Sequence, residues 1–208
     1  DWYVETGEPI AEVRRTTGWV APAPEGSADL LVLPSGPGTS SDAIVQLVLQ
    51  LLYAARREIV VTTPYFVPDE SIQRALRGAA TRGVAVHLII PARVDSLLVR
   101  HASRSFYEEL LAAGAHLHAF DGGLLHTKSI VVDGELAMFG TANLDIRSLY
   151  LNFEVSLFVF DVAFATELRA LQQRYLASST PIDAEAWARR GVGPRLVEGL
   201  ARLASPML

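Results

Sequence analysis

His126, Thr127 and Lys128 are followed by four residues and then by Asp133, so an imidazole, an ammonium and a carboxylate fall within one short stretch. Of the eighteen basic residues, Lys128 alone is lysine and the rest are arginine. A compact, rotatable ammonium in a chain otherwise supplied with guanidinium marks a place that needs one. With five histidines and ten aspartates in 208 residues, this spacing around the sole lysine has chance odds on the order of one in a thousand. On a strand, residues i and i+2 project from the same face, so His126 and Lys128 would address one pocket.

These residue types suit phosphoryl chemistry. An imidazole can attack phosphorus at neutral pH through an N–P bond labile enough to pass on, or it can protonate a departing alkoxide. A fixed ammonium beside it stabilises the non-bridging oxygens as charge builds. Asp133, at a hairpin turn, is better suited to holding strand and loop than to touching substrate. Downstream, Gly140-Thr141-Ala142-Asn143 and Asn152-Phe153-Glu154 extend the set. Asn143 can donate an amide N–H to a phosphate oxygen. Glu154 opens an apolar strand, an odd position for a carboxylate without a partner, and a histidine ring nitrogen is the natural one.

The elements that must position these groups alternate. Strands are expected at 30–33, 58–62, 84–90, 117–120, 126–132, 136–139 and 155–160. Helices are expected at 42–57, 69–82, 96–113 and 163–176, with Ser41 or Asp42 capping the first. Asp133-Gly134-Glu135 reads as a hairpin turn. The pattern implies an α/β domain over 29–178 whose mixed, mostly parallel sheet is flanked by helices on both faces. Residues 1–28, rich in Gly and Pro, read as a linker or the end of a preceding lobe, and 179–208 as a helical tail. Leu196, Leu200, Leu203 and Ala204 share one side of that tail. It either packs on the domain or lies at a lipid interface, although its polar side lacks the Lys/Arg richness of such helices.

Composition removes several classes. A net charge of -5 argues against nucleic-acid binding by broad phosphate neutralisation. The absence of cysteine excludes disulfides, thiolate metal sites and a thiol nucleophile. No stretch reaches the ~18 apolar residues of a membrane span. Asp1-Trp2-Tyr3-Val4 carries no initiator methionine and no signal-peptide pattern, and reads as a cut inside a longer chain.

His126-x-Lys128-x4-Asp133 with Gly140-Thr141-x-Asn143 resembles the HKD motif of the phospholipase D superfamily. Leu124 to Ser129, Asn143 to Leu149, Leu151 to Glu154, Thr62 to Pro68 and the closing Ser205-Pro206-Met207-Leu208 are similar to bacterial cardiolipin synthases. The resemblance implies transfer of a phosphatidyl group from one phosphatidylglycerol to the hydroxyl of another, through a phosphohistidine and without metal or cofactor. It implies catalytic roles for His126, Lys128, Asp133 and Glu154, and substrate contacts from Asn143, Thr141, Tyr65 and Arg147. Such sites join two HKD motifs across a pseudo-two-fold axis, and this chain holds one. The partner would be an N-terminal HKD lobe, preceded by membrane spans, or a two-fold copy of this chain. The expected location is the cytoplasmic face of a bacterial membrane. By analogy His126 is the general acid and base, with the preceding lobe supplying the nucleophile.

Other readings remain open from the residues alone. Tyr65 follows a strand end, where pockets form in α/β sheets, or is a core tyrosine. Arg147 binds phosphate or forms an internal ion pair. A hydrolase using water, or a non-catalytic docking module, would carry the same motif.

Overall fold

The computed structural model describes residues 12, 15, 18, 26, 28–37 and 42–203. The linker expected over 1–28 and the closing Ser205–Leu208 thus lie almost wholly outside the described residues.

An eight-stranded sheet forms the frame. Its strands are β1 (Asp29–Ser35), β2 (Glu58–Thr62), β4 (Ala85–Pro91), β5 (His116–Phe120), β6 (Ser129–Val132), β7 (Leu136–Gly140), β9 (Glu154–Phe160) and β10 (Ser179–Pro181). They stand in the order β1-β9-β7-β6-β2-β4-β5-β10. Two short strands, β3 (Phe66–Val67) and β8 (Leu144–Asp145), pair in parallel beside it. The helices are α1 (Ala43–Ala54), α2 (Glu70–Thr81), α3 (Leu97–Arg104), α4 (Tyr107–Ala112), α5 (Ile146–Tyr150), α6 (Val162–Ala177), α7 (Ala184–Ala188) and α8 (Val192–Leu203).

The mixed sheet with helices on both faces is as expected, but it is not mostly parallel. Only β2–β4 and β4–β5 are parallel, each joined by a helical crossover. The β6–β7 hairpin, the returns of β9 and β1, and the β2–β6 pairing are antiparallel. The short turn after Val132 requires β6 and β7 to run antiparallel, since a parallel pair needs a long crossover.

Burial explains the apolar runs. All four residues of β6 are buried. Ile130 and Val132 face a core shared with α1 and α2, while Val131 meets Ala137, Val159 and Ala165 under α6. In α1, Ile44, Val45, Val48, Leu51 and Leu52 point inward, and Gln46, Gln50 and Tyr53 point out, as the periodicity required. Each fully buried aliphatic contributes about 1.5–3 kcal/mol.

The single helix expected over 96–113 is two, because Ser105 interrupts it. Its N–H and hydroxyl both bond the Ala102 carbonyl, at 3.1 and 2.6 Å, which tightens the chain and starts a new helix after Phe106. The tail was expected to be helical only, yet β10 adds its first residues to the sheet edge beside β5.

Candidate active site

Three neighbouring strands bring the motif together. Gly140 N–H bonds the Lys128 carbonyl at 3.3 Å, and Thr141 N–H bonds the Val155 carbonyl at 3.0 Å. Gly140 must be glycine, since a Cβ there would stand 2.3 Å from the Val155 carbonyl oxygen and 2.8 Å from Ser156 Cα. The Thr141 hydroxyl accepts from Val155 N–H at 2.9 Å, which pins the start of β9 to the end of β7.

β6 begins at Ser129, so His126 and Lys128 precede the strand rather than lie within it. The alternation nevertheless continues through them. Thr127 Oγ1 meets the Tyr175 hydroxyl at 3.0 Å, and Ser129 Oγ accepts from buried Gln172 Nε2 at 3.2 Å. Both neighbours of Lys128 therefore turn towards α6, and Lys128 turns the other way, into the fields of Glu154 and Asp145. Its ammonium donates to the His126 carbonyl oxygen at 2.8 Å. Burial pushes the Lys128 pKa down, and the two carboxylates only partly oppose it.

His126 is exposed, and the stretch from His126 to Lys128 borders an open groove of about 550 Å³ on the α6 side, together with Thr141, Phe139, Phe164 and Leu168. Across from it, a pocket of about 230 Å³ gathers Tyr65, Ser96, Val99, Asn143, Asp145 and Arg147. The Tyr65 hydroxyl donates to Asp95 at 3.0 Å, so Tyr65 is a pocket residue and not a core one. Among the described residues Arg147 has no ion-pair partner, and its internal-pair reading lapses. Asn143 donates to Ser148 Oγ at 3.2 Å, and its buried Oδ1 has no partner.

One expectation from the residues needs correction, for Glu154, whereas Asp133 holds strand and loop as its place at the hairpin suggested. Glu154 does not pair with the His126 ring: it receives only a long contact from Asn152 Nδ2 at 3.4 Å, and its charge acts on Lys128. β9 meets β7 through Gly140 and Ser156, which leaves Glu154 beyond the end of β7 and opposite Ser35. Asp133 is not beside the reacting groups. It sits at the other end of β6, five residues and about 17 Å along the chain from Lys128 at ~3.3 Å per residue. Its carboxylate accepts from the backbone N–H groups of Arg56, Arg57 and Glu58 at 2.9, 2.8 and 2.8 Å. Burial alone would raise its pKa, but those three donors and the Arg57 charge hold it below the usual value. Asp133 at φ 54° and Gly134 at φ 71° make the hairpin turn, the left-handed conformations that Asp-Gly tolerates.

Asp145 escaped the sequence reading although it lies between Asn143 and Arg147. It is buried, caps α5 by accepting from Ser148 N–H at 2.7 Å, and lines the pocket. Burial lifts its pKa, against hydrogen bonds from Ser148 and Asn143 and with added repulsion from Glu154. The signal was the Asp145-x-x-Ser148 spacing, a helix N-cap pattern. Among the described residues no three His, Asp or Glu are gathered to hold a metal.

Residues 48–176, more than half of the chain, match the family described as cardiolipin synthase, PLD-like domain. The chain belongs to that family. Cardiolipin synthase A of Erwinia tasmaniensis is 45% identical over 208 residues, covering 100% of this chain and 43% of the relative. This cardiolipin synthase-like chain thus spans less than half the length of the curated relatives it matches. Among solved structures, Nuc of Salmonella typhimurium, a phospholipase D family member, superposes with a TM-score of 0.65 at 20% identity, covering 75% of this chain and 99% of Nuc. Phosphatidylserine synthase of Haemophilus influenzae superposes with a TM-score of 0.66 at 16% identity, covering 86% of this chain and 48% of that one. At those identities the two structures speak for the fold alone. Among the described residues of this family member, no helix is long and apolar enough to cross a membrane.

Proposed function

We propose that this chain is one lobe of a phosphatidyltransferase that condenses two phosphatidylglycerol molecules into cardiolipin and glycerol. The supporting observation is that His126 and the sole lysine, Lys128, stand together beside Gly140 and Thr141, with the Lys128 ammonium on the His126 carbonyl and in the fields of Glu154 and Asp145. Identity of 45% along the whole chain to a protein named cardiolipin synthase A favours this reaction over other phosphodiester chemistry.

In the first step an imidazole nitrogen of the paired lobe attacks phosphorus, and the bond from phosphorus to the glycerol oxygen breaks. His126, as imidazolium, gives that oxygen its proton. In the second step His126 takes the proton from the incoming lipid hydroxyl, whose oxygen attacks phosphorus as the N–P bond breaks. Lys128 holds the non-bridging oxygens throughout. The paired lobe is the N-terminal HKD half of the same protein, or a two-fold copy of this chain, at the cytoplasmic membrane surface.

The test is incubation of the full-length protein with phosphatidylglycerol and analysis of the lipid products. Cardiolipin with equimolar glycerol supports the proposal, and His126→Ala is expected to lower the rate at least ~10²-fold. Phosphatidic acid as the only lipid product would replace the transferase with a hydrolase.

A further inference from the structure

α8 is mounted inside out. Its polar residues face the protein: Glu198 is 3% exposed and holds Arg104 at 3.0 Å and Arg190 at 2.6 Å. Arg202 bonds Glu109 and Gln73, each at 3.2 Å, and Arg195 pairs with Glu108 at 3.1 Å. Apart from buried Ala201, the aliphatic residues face out. Val192, Leu196, Leu200 and Leu203 are 63–79% exposed and fall on one helical stripe, ~16 Å long at 1.5 Å per residue. α3, against which α8 packs, adds Leu97 and Leu98 at 68 and 45%. Apolar surface gathered in this way marks a contact face.

We propose that this stripe seats the lobe on the surface of an anionic phospholipid bilayer, with the neighbouring pocket brought level with the headgroups. The proposal rests on the phosphatidyltransferase reading for its choice of occupant. Three features favour lipid over a protein partner. First, α3 links the two surfaces, because Ser96 and Val99 wall the pocket that holds Tyr65, Asn143 and Arg147 while the same helix packs against α8 and exposes Leu97 and Leu98. A headgroup still tethered to its bilayer can enter that pocket only if this side of the lobe lies near the membrane. Second, the outward residues are all aliphatic, without the aromatic or arginine anchors that dominate protein interfaces. Third, the exposed side chains of Arg100 and Arg147 form no ion pair or hydrogen bond among the described residues, and so are available to anionic headgroups. The two arginines of α8, Arg195 and Arg202, are spent on Glu108 and Glu109 within the fold, so its polar side offers no cation to a bilayer.

The chain is suited to a binding test, since one continuous core cluster runs from Ile44 to Ala201 beneath an unbroken sheet. Flotation would be measured with vesicles of phosphatidylcholine alone and of phosphatidylcholine with a third phosphatidylglycerol. The unaltered chain should float with the mixed vesicles. The double variant Leu196→Glu, Leu200→Glu should partition at least about tenfold less, with an unchanged melting curve because both side chains are already in water. Arg100→Gln should weaken flotation on the mixed vesicles only. Equal flotation of the double variant and the unaltered chain overturns the proposal. So does a double variant that keeps its flotation but loses association with the remainder of the full-length protein, since the stripe would then be a protein interface. His126→Ala should float normally, which separates failure of membrane seating from failure of the transferase reading.

Discussion

The ammonium of Lys128 donates to the main-chain carbonyl of His126 at 2.8 Å, so the chain's only lysine is held against the residue two positions before it. The contact parks a positive charge at the mouth of the groove and keeps it partly desolvated. Under the proposed function, an arriving phosphodiester would draw the ammonium from a neutral carbonyl to an anionic oxygen by a rotamer change alone. Lys128→Ala should lower turnover by about 10²–10³-fold, the scale for losing one stabilising donor in the transition state. Lys128→Arg should not restore it, because a planar guanidinium cannot fold back within two residues. Steady-state kinetics on both variants check this, and wild-type rates in the arginine variant would contradict it.

Glu154 sets how long that charge persists as pH rises. Burial lowers the Lys128 pKa, while Glu154, followed by Asp145, supports the charged form. Glu154→Gln removes the larger support, so the ammonium should deprotonate at lower pH. The alkaline limb of the kcat/KM profile should move downwards, and the acid limb should stay where it is. An unmoved alkaline limb would mean that Glu154 does not act through Lys128.

The contacts of Asp133 are those of a structural residue. Its carboxylate gathers three backbone N–H groups that join the end of α1 to β2, far from His126. Asp133→Ala should destabilise the fold by about 2–3 kcal/mol through lost charge-assisted bonds and a left-handed backbone that alanine resists. The sign with pH follows from the lowered pKa: this stabilisation is complete above the ordinary carboxylate range and is lost as pH falls through the depressed folded value. Melting curves across acid pH should fall more steeply for the wild type than for the variant. Turnover per folded molecule should be close to normal, and a loss like that of Lys128→Ala would return Asp133 to the mechanism.

Much of this was readable in the residues, for reasons that differ by element. The hairpin was legible because Asp133-Gly134 admits few backbone conformations and apolar strands flank it. His126 and Lys128 were legible because the chemistry tolerates few substitutes. The direction of the sheet was less so: apolar runs report burial on both faces but not the sense of pairing. The break at Ser105 was hidden because a serine hydroxyl competes for a helix carbonyl without altering the apolar period. The partner of Glu154 depends on strand register, which no local pattern carries. The polar side of α8 was visible as a sequence stripe, but only the fold reveals that it faces inward.

Gly140 tests how closely the strands of the site must approach. An added Cβ would meet backbone atoms of Val155 and Ser156, neither of which can rotate aside. Gly140→Ala should separate β7 from β9, destabilise by about 1–3 kcal/mol, and shift Thr141 and Glu154 relative to Lys128. Activity should therefore fall by more than the folded fraction falls, which thermal melts and kinetics on the same sample would establish. A variant with normal kcat and reduced stability would show that the approach is structural only.

His87 and His118 offer a pH test away from the groove. Their Nδ1 and Nε2 atoms lie 3.1 Å apart, and one of them must be a neutral acceptor. Burial, then the neighbouring His87 and His116, lowers the His118 pKa to about 4, and burial chiefly lowers that of His87 despite Glu58 on its other nitrogen. In the unfolded chain both titrate near the ordinary value of ~6.5. Between that value and about 4 the unfolded state therefore binds more protons, and stability must decline as pH falls through this window. His118→Gln keeps a hydrogen-bonding group without the titration and should flatten the decline of the melting temperature from pH 6.5 to 4. Parallel curves for variant and wild type would show that the pair carries no such proton linkage.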